Sequence, residues 1–344
     1  MASAGAAGAG AASAGAASDS AAGGDLPVVV ALGTVDPALV AGVLDGHCRF
    51  VAAPVEADLA AAAGAIVRAD TRVDRALLGC APRLRVLART GVGTDLVDVP
   101  AATARGIAVV ITPGAGAAAV AEGAIGMALH LVKRFGPLTA LVREGRWAER
   151  AGVSVGDLDG ATLGVIGFGR IGSRTAALAA AFGMRVLAYD PVSEPPADIR
   201  CASLGDLAAR SDVITLHLPL SEQTRHLVDD AFLARVRPGA VLVNCGRGGL
   251  VDTDAAWRAL TDGRLSGVGL DVFDPEPPGP HPLYNHPGVV LTPHLMGLSQ
   301  RATAATFTAA ARGVLDVLDG REPQAVADPA WRSYRTKEIH YDHR

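Results

Sequence analysis

Three polar residues stand just beyond short apolar runs in the second half of the chain, and together they could do acid–base work at a carbonyl. Arg247 lies in Asn244-Cys245-Gly246-Arg247-Gly248-Gly249, after the run Ala240–Val243, among small residues that let a ligand come close. A guanidinium there can clasp a carboxylate through two parallel donors. His294 follows Val289–Leu291, and Glu276 lies in Asp271-Val272-Phe273-Asp274-Pro275-Glu276-Pro277, which follows Val268–Leu270. An acid beside a histidine favours imidazolium and keeps a proton at hand near neutral pH. A cation to polarise the acceptor, a proton donor and an acid to hold that donor charged are what hydride transfer between nicotinamide and a carbonyl requires. His217, at the end of another run in Leu216-His217-Leu218-Pro219, is the competing histidine and would sit nearer a dinucleotide. Asp271 could either bind the nicotinamide carboxamide or cap a neighbouring turn.

A dinucleotide is expected from Gly167-Phe168-Gly169-Arg170-Ile171-Gly172, which follows the run Thr162–Ile166 and opens an Ala-rich stretch reaching Phe182. In such a strand, turn and helix, the first glycine permits a tight turn, the second lets backbone approach a pyrophosphate, and the third lets helix lie close to strand. The helix N-terminus then faces the anion with free N–H groups. Asp190 ends the next apolar run, placed to accept from adenosine ribose hydroxyls and to repel a 2′-phosphate. Pro191, Val192 and Ser193 include no arginine, so NAD is expected rather than NADP.

The elements that must hold these residues read as α/β. Ten short runs without strict alternation suit strands covered on both faces: Val28–Leu32, Ala65–Val67, Val86–Ala88, Ala108–Ile111, Thr162–Ile166, Val186–Tyr189, Val213–Leu216, Ala240–Val243, Val268–Leu270 and Val289–Leu291. Helix-period stretches separate them, which predicts doubly wound parallel sheets. The segment from Ala117 to Phe135 reads as one long helix joining two sets of strands, and Ala302 to Leu318 as another that returns the chain to the first set. The fingerprint begins only after residue 166, so a second domain precedes it. Met1 to Gly24 is Ala, Gly and Ser with a single charge and reads as a disordered tail, and residues 331–344 read as a polar tail.

Composition narrows the partners. A net charge of −4 gives no general attraction to phosphate backbones or anionic lipid, so neither nucleic acid nor a membrane is expected. No run of about 18 apolar residues is free of interruption. Cys48, Cys80, Cys201 and Cys245 lack disulfide or metal-ligand spacing, so no metal is expected and a reducing cytoplasm fits best.

The motifs GFGRIG, HLPLSEQT, NCGRGGLVD, GLDVFDPEP and LTPH, in this order, resemble the D-isomer-specific 2-hydroxy-acid dehydrogenases, with the match running from about Val86 to Pro329. The resemblance implies a flavodoxin-like substrate domain (25–124 and 295–330) facing a Rossmann NAD domain (125–294) across a cleft, and a homodimer. It assigns Arg247 to the substrate's carboxylate and carbonyl, Glu276 to pairing with the histidine, and His294 to general acid/base work. It adds His217, Pro219, Thr224, Cys245, Gly246 and Asp271 to the cofactor site beside Gly167, Gly169, Arg170, Ile171, Gly172 and Asp190. In Arg89-Thr90-Gly91-Val92-Gly93-Thr94-Asp95, backbone N–H groups around Val92 and Gly93 resemble the family's anion-binding loop, and Arg68 lies in a second substrate loop. Gly116 stands where phosphoglycerate members often carry Asn, and Asp70 is a poor neighbour for a phosphate, which counts against 3-phosphoglycerate. No length remains after residue 330 for the regulatory domain of longer phosphoglycerate members. The expected reaction is reversible NAD-linked oxidation of a small (R)-2-hydroxy acid to its 2-keto acid. The alternatives are a glyoxylate or hydroxypyruvate reductase, or a non-catalytic NAD-sensing scaffold like the corepressors of this fold, which carry an aromatic residue where this chain has Gly297.

Overall fold

In β1 (Val28–Leu32), alternate residues serve two cores: Val29 and Ala31 pack with Phe307 and Val314, while Val30 and Leu32 pack with Leu78 and Leu84. That double burial is why the run is apolar throughout rather than every second residue. The computed structural model describes residues 26–338, so the expected Ala/Gly/Ser tail lies outside the described residues. With β2 (Arg49–Val51), β3 (Ala62–Val67), β4 (Val86–Arg89) and β5 (Ala108–Val110), it forms a five-stranded parallel sheet of order β2-β1-β3-β4-β5. A six-stranded sheet of order β11-β10-β9-β8-β6-β7 contains β6 (Thr162–Ile166), β7 (Arg185–Tyr189), β8 (Val213–Leu216), β9 (Ala240–Asn244), β10 (Leu265–Leu270) and β11 (Val289–Leu291). Its pairings are all parallel. The strand order reverses beside β6, the place where doubly wound sheets hold ligands.

Every expected run is a strand. One strand was not foreseen: β2 is a half-exposed, three-residue edge whose Arg-Phe-Val gives no period. The expected single helix ends at Val132, Arg134 turns left-handed at φ 55°, and a second helix, Phe135–Arg143, leaves at 57°. Pro137 is the reason. Within one continuous helix its ring would meet the carbonyl of Lys133, whereas the first turn of a new helix tolerates it. Among the described residues no single helix is long and apolar enough to cross a membrane.

The helix Gln300–Leu318 begins at Ser299, whose Oγ accepts from the Ala302 N–H at 3.2 Å, and packs across β3, β4 and β5 with Phe307, Ala310, Ala311 and Val314. The chain thus returns to the first sheet, where Ile111 N–H donates to Ala325 O at 3.1 Å and Ala327 N–H to Val109 O at 2.8 Å. The expected polar tail is corrected in part: Trp331–Glu338 is a helix whose buried Trp331 joins the first core, and the rest of that tail lies outside the described residues. An indole with such a core to enter outweighs its polar neighbours.

Phe307→Ala removes a ring that is 2% exposed between helix and sheet and is expected to destabilise the protein by about 3–5 kcal/mol, read from urea denaturation.

Candidate active site

Asn244, Leu270 and Leu291 are register partners, so β9, β10 and β11 end at one level and release their loops side by side. The first loop carries Arg247. Buried Asn244 folds it, donating through Nδ2 to Arg247 O at 2.8 Å and accepting from Gly246 N–H at 3.0 Å. The second loop carries Glu276 and lies directly on the first, because a Cβ at Gly248 would stand 1.9 Å from the carbonyl carbon of Phe273. Only glycine allows backbone to rest on backbone there. Glu276 accepts from Phe273 N–H at 2.9 Å through Oε1, which leaves Oε2 to meet His294 Nδ1 at 2.8 Å. The imidazole is half-exposed, and its Nε2 has no protein partner among the described residues.

His294 sits on the third loop with φ 56°, an uncommon conformation for a side-chain-bearing residue. Asp271 holds that loop in place. Its Oδ1 accepts from Thr292 Oγ1 at 2.6 Å and Leu295 N–H at 3.0 Å, and Oδ2 from Met296 N–H at 3.3 Å. Burial pushes the Asp271 carboxyl up from its ordinary value, opposed by these hydrogen bonds and by the nearby His294. Of the two roles open for Asp271, the turn cap is the one its contacts make.

Arg247 reaches across to the first domain. Its Nε lies 3.3 Å from Asp95 Oδ2, its Nη1 donates to Gly246 O at 2.8 Å, and Nη2 would be 2.4 Å from a Cβ at Gly93. The guanidinium therefore covers the Val92–Gly93 turn. Arg89, 3% exposed at the end of β4, ties the two first-domain loops together through Nε to Gly93 O at 3.0 Å, Nη1 to Arg68 O at 2.6 Å and Nη2 to Ala69 O at 3.0 Å. Burial lowers the Arg89 pKa, and Asp95 counteracts this. The Arg68 guanidinium stands 5.9 Å from the centre of the Phe307 ring.

The glycine turn shows which of its glycines the protein itself needs. A Cβ at Gly167, where φ is 96°, would be 2.7 Å from the His217 carbonyl carbon, and one at Gly172 would be 1.9 Å from Gly167 O. At Gly169 a Cβ would meet nothing within 4 Å. Neither packing nor backbone strain calls for glycine at 169, so the space it leaves fits an outside group such as a pyrophosphate. That space opens on the helix Arg170–Ala181, which begins with Arg170 and Ile171 and whose N-terminus has no side-chain cap. Asp190 accepts from Phe168 N–H at 2.6 Å and from Val192 and Ser193 N–H, each at 2.8 Å. Carboxylate oxygens have further lone pairs for ribose hydroxyls.

The remaining expected cofactor residues act mainly by shaping backbone. Burial holds the His217 pKa down at about 3, with Nε2 3.0 Å from Thr215 Oγ1 and a buried Nδ1 without a partner. A neutral imidazole of that kind is a poor proton donor. Thr224 Oγ1 donates to Pro219 O and accepts from Ser221 N–H, both at 2.8 Å, so its hydroxyl closes its own loop. Burial pushes the Cys245 thiol up to about 12, leaving backbone as what Cys245 offers. Four positioning residues were not foreseen in these roles: Asn244, Arg89, Thr292 and Asp95. Asn244 and Arg89 carry a readable signal, a polar side chain at the last position of an apolar run.

The family profile described as "D-isomer specific 2-hydroxyacid dehydrogenase, NAD binding domain" matches residues 125–296. A D-3-phosphoglycerate dehydrogenase of Mycobacterium bovis is 40% identical over 311 residues, 88% of this chain and 59% of that protein. The chain thus spans about three fifths of the phosphoglycerate dehydrogenase it matches there. A hydroxypyruvate reductase of Thermotoga maritima is 39% identical over 67% of this chain and 76% of its own length. The solved TT0316 protein of Thermus thermophilus superposes with a TM-score of 0.79 at 35% identity, covering 88% of this chain and all of the other.

Gly169→Ala is expected to weaken NADH binding on the order of tenfold, read by nicotinamide fluorescence, with little change in Tm. Gly172→Ala should lower Tm as well, because its Cβ has no room.

Proposed function

The chain belongs to the D-isomer specific 2-hydroxyacid dehydrogenases, and from that premise we propose that it interconverts a small (R)-2-hydroxy acid and its 2-keto acid with NAD. The observation that carries the reading is the His294–Glu276 pair, 2.8 Å apart, with the Glu276 loop packed on the loop of Arg247. Bound NADH supplies the hydride in the reductive direction. The open space at Gly169 and the uncapped helix N-terminus beyond it would receive the pyrophosphate, Asp190 the adenosine ribose, and Asp271 would share its remaining acceptor capacity with the nicotinamide amide. Asp190 and the absence of arginine from 191–193 support NAD over its phosphorylated form.

Arg247 and the Val92–Gly93 turn would hold the substrate carboxylate between the two domains, with the guanidinium polarising the adjacent carbonyl. His294, charged and oriented through Nδ1 by Glu276, would give the proton on Nε2 to the carbonyl oxygen and take one back in the oxidative direction. Both chain crossings between the domains lie beside this site, so closing the cleft would exclude water where the charges change. Arg68, in the loop tied down by Arg89, would line the pocket for the rest of the substrate.

We also propose a homodimer. Phe135, Val142, Trp147 and Val155 are exposed on and after the second half of the broken helix pair, and Trp147 is 61% exposed. Four exposed large apolar side chains within 21 residues of sequence suit burial against a second copy of the chain.

His294→Asn keeps a residue type that accepts the left-handed backbone. Turnover should fall by on the order of 10²–10⁴ while NADH still binds. A panel of 2-keto acids, including glyoxylate, hydroxypyruvate and a phosphorylated member, assayed with NADH and NADPH, tests the reading; no reduction of any of them overturns it. Trp147→Glu should shift sedimentation toward monomer, and an unchanged dimer would reject the face.

A further inference from the structure

Asp95 lies on the same loop as the Val92–Gly93 turn, and its side chain reaches Arg247, the residue proposed to receive the substrate carboxylate. Its Oδ2 lies 3.3 Å from Arg247 Nε and would be 3.0 Å from a Cβ at Gly93, the point that Arg247 Nη2 approaches to 2.4 Å. A carboxylate from one domain, a guanidinium from the other and the anion-binding turn therefore share one place. Asp95 is half-exposed, so it is free to act on whatever enters the cleft.

The charges around this place can be counted. Arg89 is influenced by Asp95, Arg247 and Asp70, and Arg68 lies 3.9 Å from Asp70, so three guanidinium groups and two carboxylates form one cluster. Their formal sum is one positive charge. The His294–Glu276 pair adds nothing to that sum when the imidazole is protonated. One positive charge matches one substrate carboxylate; removing Asp95 would raise it to two. Meanwhile Nε, tethered to Asp95, and Nη1, tethered to Gly246 O, fix the plane of the guanidinium, and Nη2 remains for substrate.

We propose that Asp95 is a positioning and selectivity residue of this site: it aims Arg247 across the cleft and offsets one of its charges, so that the pocket favours a 2-keto acid with a single negative charge over one with two. The inference rests on the proposed dehydrogenase reading, in which Arg247 receives the substrate carboxylate. Asp95→Asn isolates the charge, because the Asn carbonyl still accepts from Nε. Asp95→Ala removes charge and tether together.

The test is binding to the NADH-loaded protein, followed by nicotinamide fluorescence, of oxamate with one negative charge and tartronate with two. The native protein should prefer oxamate. Asp95→Asn should tighten tartronate about fivefold more than oxamate, the size expected for one partly screened unit charge at this range. Asp95→Ala should shift the ratio in the same sense while weakening oxamate. In turnover, the KM ratio of a dicarboxylic to a monocarboxylic 2-keto acid should fall in the Asn variant. Native binding of oxamate with an unmoved ratio in the Asn variant overturns this inference alone. Failure of both anions to bind, with no 2-keto acid reduced, overturns the dehydrogenase reading and this inference with it.

Discussion

Parallel strands that finish at the same height release their loops together, and the site depends on that constraint. β9, β10 and β11 are neighbours, and their last residues, Asn244, Leu270 and Leu291, lie opposite one another. Arg247 is then three residues past its strand, His294 three past its own, and Glu276 six past the strand between. Residues scattered along 48 positions of chain become neighbours without any long excursion. A slip of one residue in either pairing would turn each side chain to the other face of the sheet. The apolar cores on both faces, with Leu242, Val268 and Leu270 on one and Val241 and Val243 on the other, resist such a slip.

Around the strand ends the fold places polar groups, buried or partly buried, whose partners are mostly backbone. Asn244 shapes the Arg247 loop, Asp271 the His294 loop, Asp190 the glycine turn and Arg89 the two first-domain loops. Burying an ionised group costs free energy unless it is well hydrogen-bonded, and Asp271 shows the tension, burial and hydrogen bonds driving its protonation in opposite directions. Loops held by such groups gain geometry that loose surface connections lack, which matters where donor and acceptor must meet at hydrogen-bond distance.

Much of this was legible from spacing. The apolar runs marked strands because most of them are buried from both sides, with the edge strand β11 the least covered, and the turn at Gly167 announced itself through the strand before it, the helix after it and Asp190 beyond. That Arg247, Glu276 and His294 would leave neighbouring strands was legible because each follows an apolar run within a few residues. What escaped had a three-dimensional cause. Asp95 and Arg247 are separated by 152 positions and meet only when two domains face each other. The helix at Trp331 depends on a core to receive its indole. The break at Arg134 hinged on Pro137, just beyond the apolar stretch that suggested a single helix. His217 and His294 look alike as histidines after strands; only burial separates the neutral one from the exposed one.

The two chain crossings between the domains lean on each other, since a Cβ at Gly116 would stand 3.0 Å from Gly297 O. Rotation about those crossings displaces most what lies farthest from them, as with any lever. His294 sits three residues from the fulcrum and is anchored to β10 through Asp271, so its imidazole keeps station over the six-stranded sheet. The Val92–Gly93 turn rides on the opposite arm. Swinging the jaws apart would thus carry that turn away from Arg247 while leaving the His294–Glu276 contact undisturbed.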